Sequence, residues 1–136
     1  MTLVVDASLL VAALVDSGPD GVWAEEVLGS EPLAAPHLMP VEVATVLRRA
    51  AAAGEISADV ASLAHEDVLS LRVDLFPYEP CASRVWELRS AVTAYDAWYV
   101  ALAEALDAPL ATLDARLARA SGPRCRFVLP PRAGGR

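Results

Sequence analysis

Lysine is absent from the 136-residue chain, whose 11 basic residues are all arginine. Chemistry built on a lysine amine, such as the P-loop phosphate clamp or a Schiff base, is therefore excluded. Histidine is nearly as scarce, with His37 and His65 too few and too far apart for a metal cluster. Both are expected in surface or capping roles, His37 being of more interest because it precedes the helix of Pro40. The two cysteines, Cys81 and Cys125, fit neither a metal spacing nor a disulfide framework. They read as reduced packing residues, which suits a cytosolic protein. No apolar run reaches the ~18 residues of a membrane span. The opening segment lacks a signal peptide's basic region and places Asp6 ahead of its apolar run. Abundant alanine, arginine and proline without lysine hint at a GC-rich bacterial genome but say nothing of mechanism.

What is present is a hydrophobic and acidic chain. Hydrophobic residues make up 55%, enough at this length to bury one core, so residues 1–129 are expected to form a single domain. The net charge of -7 argues against a simple electrostatic nucleic-acid binder. It is unevenly distributed, however. The first 114 residues carry all 18 acids and five arginines (-13), while residues 115–136 carry six arginines and no acid (+6). Residues 130–136 read as a short basic Pro/Gly/Arg tail.

Short apolar segments alternate with helical patterns along the chain. Strands are expected at Leu3–Val5, Leu33–Ala35, Val73–Phe76, Pro109–Thr112 and Arg126–Val128. Helices are expected at Ser8–Val15, Gly21–Leu28, Val41–Ala53, Ser57–Leu69, Glu79–Val92, Tyr95–Leu106 and Ala115–Ala120. Pro40 suits a helix first turn, Gly54 a stop, and Val22, Trp23, Val27 and Leu28 the inner face of the second helix. The alternation implies an α/β sandwich with a mostly parallel sheet of about five strands, buried on both faces by helices. Residues 40–69 are expected as a helical subdomain projecting from it.

Ligands of open α/β sheets bind beyond the carboxyl ends of the strands. Asp6 closes the first strand, Glu42 and Asp96 sit in helix first turns, and Asp114 follows the fourth strand. Four carboxylates are thus expected at one sheet edge. Each has an ordinary alternative, because acids also cap helices and complement their dipoles. Gathered in one cleft, they would repel one another unless a cation neutralised them, and hard oxygen ligands suit Mg²⁺ or Mn²⁺. Such ions polarise phosphodiesters and activate water. Ser8 and Thr112 are close enough in sequence to bond a carboxylate, a metal-bound water or a phosphate, or to cap helices.

Val4-Val5-Asp6-Ala7-Ser8, Pro40-Val41-Glu42-Val43-Ala44, Thr93-Ala94-Tyr95-Asp96-Ala97-Trp98-Tyr99 and Leu110-Ala111-Thr112-Leu113-Asp114-Ala115-Arg116-Leu117 together resemble a PIN-domain protein, more narrowly a VapC-type toxin. The resemblance spans nearly the whole chain in the family's order and spacing. It implies a PIN-like three-layer sandwich and an acidic quartet of Asp6, Glu42, Asp96 and Asp114 that binds Mg²⁺ or Mn²⁺ and cleaves RNA. In that scheme Asp6, Asp96 and Asp114 hold the metal, and Glu42 completes the shell or orients water. It also implies a homodimer, and a cognate VapB-type antitoxin whose C-terminal segment covers the groove in a toxin-antitoxin hetero-oligomer.

Trp23, Trp86 and Trp98 are expected in core or dimer contacts rather than base stacking. Of Tyr95 and Tyr99, one is expected in the core and the other at the site's border. Arg48 and Arg49 read as a solvated face, the alternative being contact with phosphate or a dimer partner, and Arg116 as an arginine for substrate phosphate or for a surface ion pair. An aspartyl-phosphate phosphatase is disfavoured, because it needs an aspartate where Ser8 stands and usually a lysine. A non-enzymatic module whose acidic groove takes a basic peptide stays open.

Overall fold

The computed structural model describes residues 1–131. Within them, β1 (Leu3–Val5), β2 (Leu33–Pro36), β3 (Val73–Phe76), β4 (Leu110–Ala111) and β5 (Phe127–Val128) form one sheet. Its order is β3-β2-β1-β4-β5, and every neighbouring pair is parallel. The helices are α1 (Ala7–Val15), α2 (Pro19–Leu28), α3 (Met39–Ala52), α4 (Ala58–Ser70), α5 (Ala82–Glu87), α6 (Ala94–Leu106) and α7 (Ala115–Arg119). The expected tail at 130–136 lies, from 132 onward, outside the described residues. None of the helices among the described residues is long and apolar enough to cross a membrane.

The helices divide into two groups. α1 packs on α2, α3 and α4, whereas α6 packs on β1, β2, β4 and α5. Right-handed crossovers place these groups on opposite faces of the sheet, giving three layers. The central strands β1, β2 and β4 are buried throughout, as all-parallel sheets require. The edge strands are not: Asp74 and Leu75 of β3 are exposed and β5 is half-buried, because each has a neighbour on one side only.

The local signals that set the boundaries act as expected in most places. The Ser57 hydroxyl accepts from the Val60 N–H and starts α4, and Thr93 caps α6 through the Asp96 N–H. Gly54, at φ 77°, supplies the left-handed turn that follows α3.

Two expectations fail, and a third fails at one residue. The helix expected over Glu79–Val92 is a 3-10 turn (Glu79–Cys81) followed by the short α5, which ends at Glu87. Beyond it the chain tightens into i to i-3 bonds, Arg89 to Trp86 and Ala91 to Leu88, while the Arg89 side chain takes the Trp86 carbonyl. On α2, Val27 is buried and Trp23 and Leu28 pack against the core as expected, but Val22 is 54% exposed and Gly21 and Ala24 are buried beside Val27. A Cβ on Gly21 would lie 1.6 Å from the Asp16 carbonyl oxygen, so α2 turns its smallest residue to the end of α1. The 40–69 segment does not project: Met39, Val43 and Leu47 of α3 and Ala64 and Val68 of α4 are buried in the main core.

Candidate active site

The strand order places β1 and β4 side by side while their connections leave in opposite directions, β1 toward β2 and β4 toward β5. This is the topological switch point of the sheet, where a crevice opens at the carboxyl ends of the strands. Val5 is in register with Ala111, so the residues that follow, Asp6 and Thr112, meet at its floor.

Asp6 is 9% exposed, and three donors meet its carboxylate. Its Oδ1 accepts from Ser8 Oγ at 2.7 Å and from the Leu9 N–H at 3.1 Å, and its Oδ2 accepts from the hydroxyl of Thr112. Thr112 is fully buried and also accepts the Asp114 N–H at 2.9 Å. Ser8 Oγ likewise takes the Leu113 N–H at 3.4 Å. Ser8 and Thr112 therefore cap no helix; they cross-brace the ends of β1 and β4. The caps are the carboxylates themselves, Asp6 for α1 and Asp114 for α7. Both capping bonds to Asp114 fall on Oδ1, so Oδ2 carries none of them.

Glu42 stands in the first turn of α3, and its Oε1 accepts from the Tyr99 hydroxyl at 2.6 Å. Tyr99 is 2% exposed and Tyr95 58% exposed, which resolves the expected division between core and border. Asp96, half-buried, stands in the first turn of α6. Asp6, Glu42, Asp96 and Asp114 line one groove of about 810 Å³, along with Ser8, Tyr95 and Tyr99. Arg49 lines it too, while Arg48 is exposed and outside it. Asp96 and Asp114 also line an adjoining cleft that contains Arg116.

The Tyr99–Glu42 bond was not anticipated. The available signal was a tyrosine three residues after Asp96 on an otherwise apolar helix face, since a buried hydroxyl there must find an acceptor. His37 is exposed and His65 half-buried, and both lie outside the groove. Trp23 and Trp98 pack against the core as expected, but Trp86 is 66% exposed, with the Arg89 guanidinium 4.6 Å from its ring centre. Cys81 and Cys125 are free thiols.

Three of these carboxyls are pushed above their ordinary range. Burial does most of this for Asp6, opposed by the bonds from Thr112, Ser8 and Leu9 and reinforced by the charge of Asp96. Burial also raises Glu42, against the Tyr99 bond and with help from the charges of Asp96 and Asp6. Asp96 is raised by burial and then by the Asp114 charge, with Thr93 and Arg116 opposing. None of the four carboxylates forms an ion pair among the described residues.

A pH dependence follows from these directions. A carboxyl with a raised folded pKa holds its proton more tightly in the folded chain, so stability is full below the ordinary values of 3.8 for Asp6 and Asp96 and 4.5 for Glu42. It is lost as pH rises through the raised folded values. The metal-free protein is thus expected to melt at a lower temperature at about pH 7.5 than at about pH 5, with added Mg²⁺ reversing the loss. Melting curves in chelator across that range check it; a midpoint that climbs with pH would contradict the repulsion.

The PIN domain family profile matches residues 3–123. The chain belongs to the PIN-domain family. This PIN-domain chain is 42% identical over 127 residues to ribonuclease VapC1 of Mycobacterium tuberculosis, covering 93% of this chain and 96% of that protein. Among solved structures it is similar to VapC20 of M. tuberculosis, a sarcin-ricin loop cleaving toxin. That likeness has a TM-score of 0.66 at 18% identity and covers 85% of this chain and 92% of the other. VapBC2 from Rickettsia felis, bound to a DNA fragment from its promoter, aligns with a TM-score of 0.67 at 14% identity, over 95% and 98% of the two chains. At these identities the structures speak for the PIN-like sandwich, and VapC1 for the VapC branch of the family.

Proposed function

We propose that this PIN-domain chain is a Mg²⁺- or Mn²⁺-dependent endoribonuclease, the toxin of a pair neutralised by a cognate VapB-type antitoxin. The observation that carries the chemistry is the convergence of Asp6, Glu42, Asp96 and Asp114 on one groove at the switch point, with none of the four in an ion pair among the described residues. The 42% identity to a ribonuclease supports the RNA substrate.

The donor set fits a hard divalent ion. It is all carboxylate oxygen, and its mutual repulsion is relieved by positive charge. Among the described residues no three His, Cys, Asp or Glu side chains form a ready cage. Mg²⁺ does not require one, since it keeps several waters and commonly binds through one or two carboxylates plus substrate phosphate. Asp6, Asp96 and Asp114 would hold the ion, with Glu42 at the edge of the shell.

When bound, the ion supplies Lewis-acid polarisation of the phosphodiester and lowers the pKa of an attacking water. The chain's residues do the rest. Ser8 and Thr112 fix both oxygens of Asp6, the cap on α7 fixes Asp114, and Tyr99 holds Glu42 where its free oxygen can orient water or take its proton. Neither lysine nor histidine is needed. In this reading residues 1–129 form the catalytic unit, 130–136 a tail, and the protein works in the cytoplasm as a homodimer or within a toxin-antitoxin hetero-oligomer. A groove of carboxylates also suits an arginine from the antitoxin, through charge-assisted and bidentate bonds.

The test is purified protein with RNA in Mg²⁺ or Mn²⁺ and then in chelator. Cleavage that appears with the ion and stops with chelator is expected. Absence of cleavage in either metal, with a basic peptide still bound in the groove, would instead make the chain a non-enzymatic peptide-binding module.

A further inference from the structure

Next to the acidic groove lies a second cleft of about 510 Å³, and the two share Asp96 and Asp114 as a common wall. Arg89 and Arg116 line this cleft as well. Among the described residues neither arginine forms an ion pair, although Arg84 pairs with both Glu87 and Glu104. Both are exposed and line the same cleft, so two positive charges stand together beside the carboxylate wall.

Arg89 is also held in place. Its guanidinium lies over the Trp86 ring at 4.6 Å and donates from Nη1 to the Trp86 carbonyl at 2.7 Å. Stacking and a main-chain bond fix the plane of a side chain that would otherwise sample many rotamers, and they leave its other donors available. The short-range turn that ends α5 after Glu87 is what presents this pair at the cleft.

We infer that Arg89 and Arg116 form a backbone-phosphate subsite for the RNA strand beside the bond to be cut, with Trp86 as the platform that orients Arg89. This rests on the nuclease reading for the place of the scissile phosphate, at the wall of Asp96 and Asp114. A polyanion fits because the cleft that adjoins the carboxylate groove across Asp96 and Asp114 is lined by two guanidiniums. RNA is favoured over an acidic peptide because successive phosphates can reach the metal-bearing groove and the arginines at once. Arg116 acts here for substrate rather than in a surface ion pair.

The test is the salt dependence of binding for a fluorescein-labelled single-stranded RNA of mixed sequence, followed by anisotropy in Mg²⁺. Each phosphate contact on a single strand contributes about 0.7 to the slope of log affinity against log salt. Arg89→Ala and Arg116→Ala should each flatten the slope by about that amount, and Arg89→Lys should retain most of it. Trp86→Ala should weaken binding while keeping the slope, since it frees the guanidinium without removing its charge. All three positions are exposed, so the four variants should fold as the wild type does. Slopes unchanged in both alanine variants would overturn the subsite, as would an acidic peptide, poly-glutamate, that loses its binding with Arg89→Ala while RNA does not. Failure of metal-dependent cleavage with the slopes flattened as expected would remove the nuclease reading and leave the subsite standing.

Discussion

Asp96→Asn is expected to lower metal-dependent RNA cleavage by at least about a hundred-fold while leaving the protein folded. Changes to the outer shell of a metal site commonly cost 10–100-fold, so loss of a carboxylate proposed to hold the ion sets that range as a floor. Asp96 is the cleanest position to ask the question. It is half-buried on the wall between the two clefts, and Thr93, not Asp96, caps its helix. The asparagine keeps the volume and removes one of the charges that raise Asp6 and Glu42. The metal-free variant should therefore melt at or above the wild-type temperature even as its activity falls. Initial rates with RNA in Mg²⁺, with circular dichroism melts in chelator, measure both. Cleavage within about tenfold of wild type would remove Asp96 from the set of ligands.

The same residue shows why part of this site could be read without coordinates. Asp6, Glu42, Asp96 and Asp114 each follow a strand or open a helix, and those boundaries have local causes: Pro40 in a first turn, Thr93 and Ser57 as caps, Gly54 beyond α3. Once the boundaries were placed, the geometry of parallel sheets required the acids to meet. What stayed hidden depends on partners distant in sequence. The Tyr99 bond to Glu42 spans 57 positions and the Thr112 bond to Asp6 spans 106. The exposure of Val22 goes with the close approach of Gly21 to the main chain of Asp16, which no hydrophobic periodicity records. The end of α5 was missed because Leu88, Ala91 and Val92 continue an apolar pattern through a turn, and with it went the exposure of Trp86. In both cases periodicity described which residues were apolar, and tertiary approach decided which were covered.

Thr112→Val should be the most costly single change in the fold that leaves side-chain shape intact. Threonine and valine have nearly the same volume, so no cavity opens, and the loss can be assigned to the hydroxyl. That hydroxyl donates to Asp6 Oδ2 and accepts the Asp114 N–H, and Thr112 has no solvent exposure through which water might replace it. Each buried group left without a partner costs about 1–3 kcal/mol, so a loss of about 2–4 kcal/mol in urea unfolding is expected, with Thr112→Ser, which keeps the hydroxyl and loses a buried methyl, costing only about 1 kcal/mol. Function should suffer as well. Without this bond one opponent of the burial that raises Asp6 is gone, so more metal is needed to hold the carboxylate charged. A substitution in the supporting shell of this kind is expected to weaken metal affinity by about 10–100-fold, read as a shift in the Mg²⁺ concentration that gives half-maximal cleavage. Thr112→Val stability within about 0.5 kcal/mol of wild type, together with an unshifted Mg²⁺ titration, would mean that Asp6 is positioned by Ser8 and the start of α1 alone.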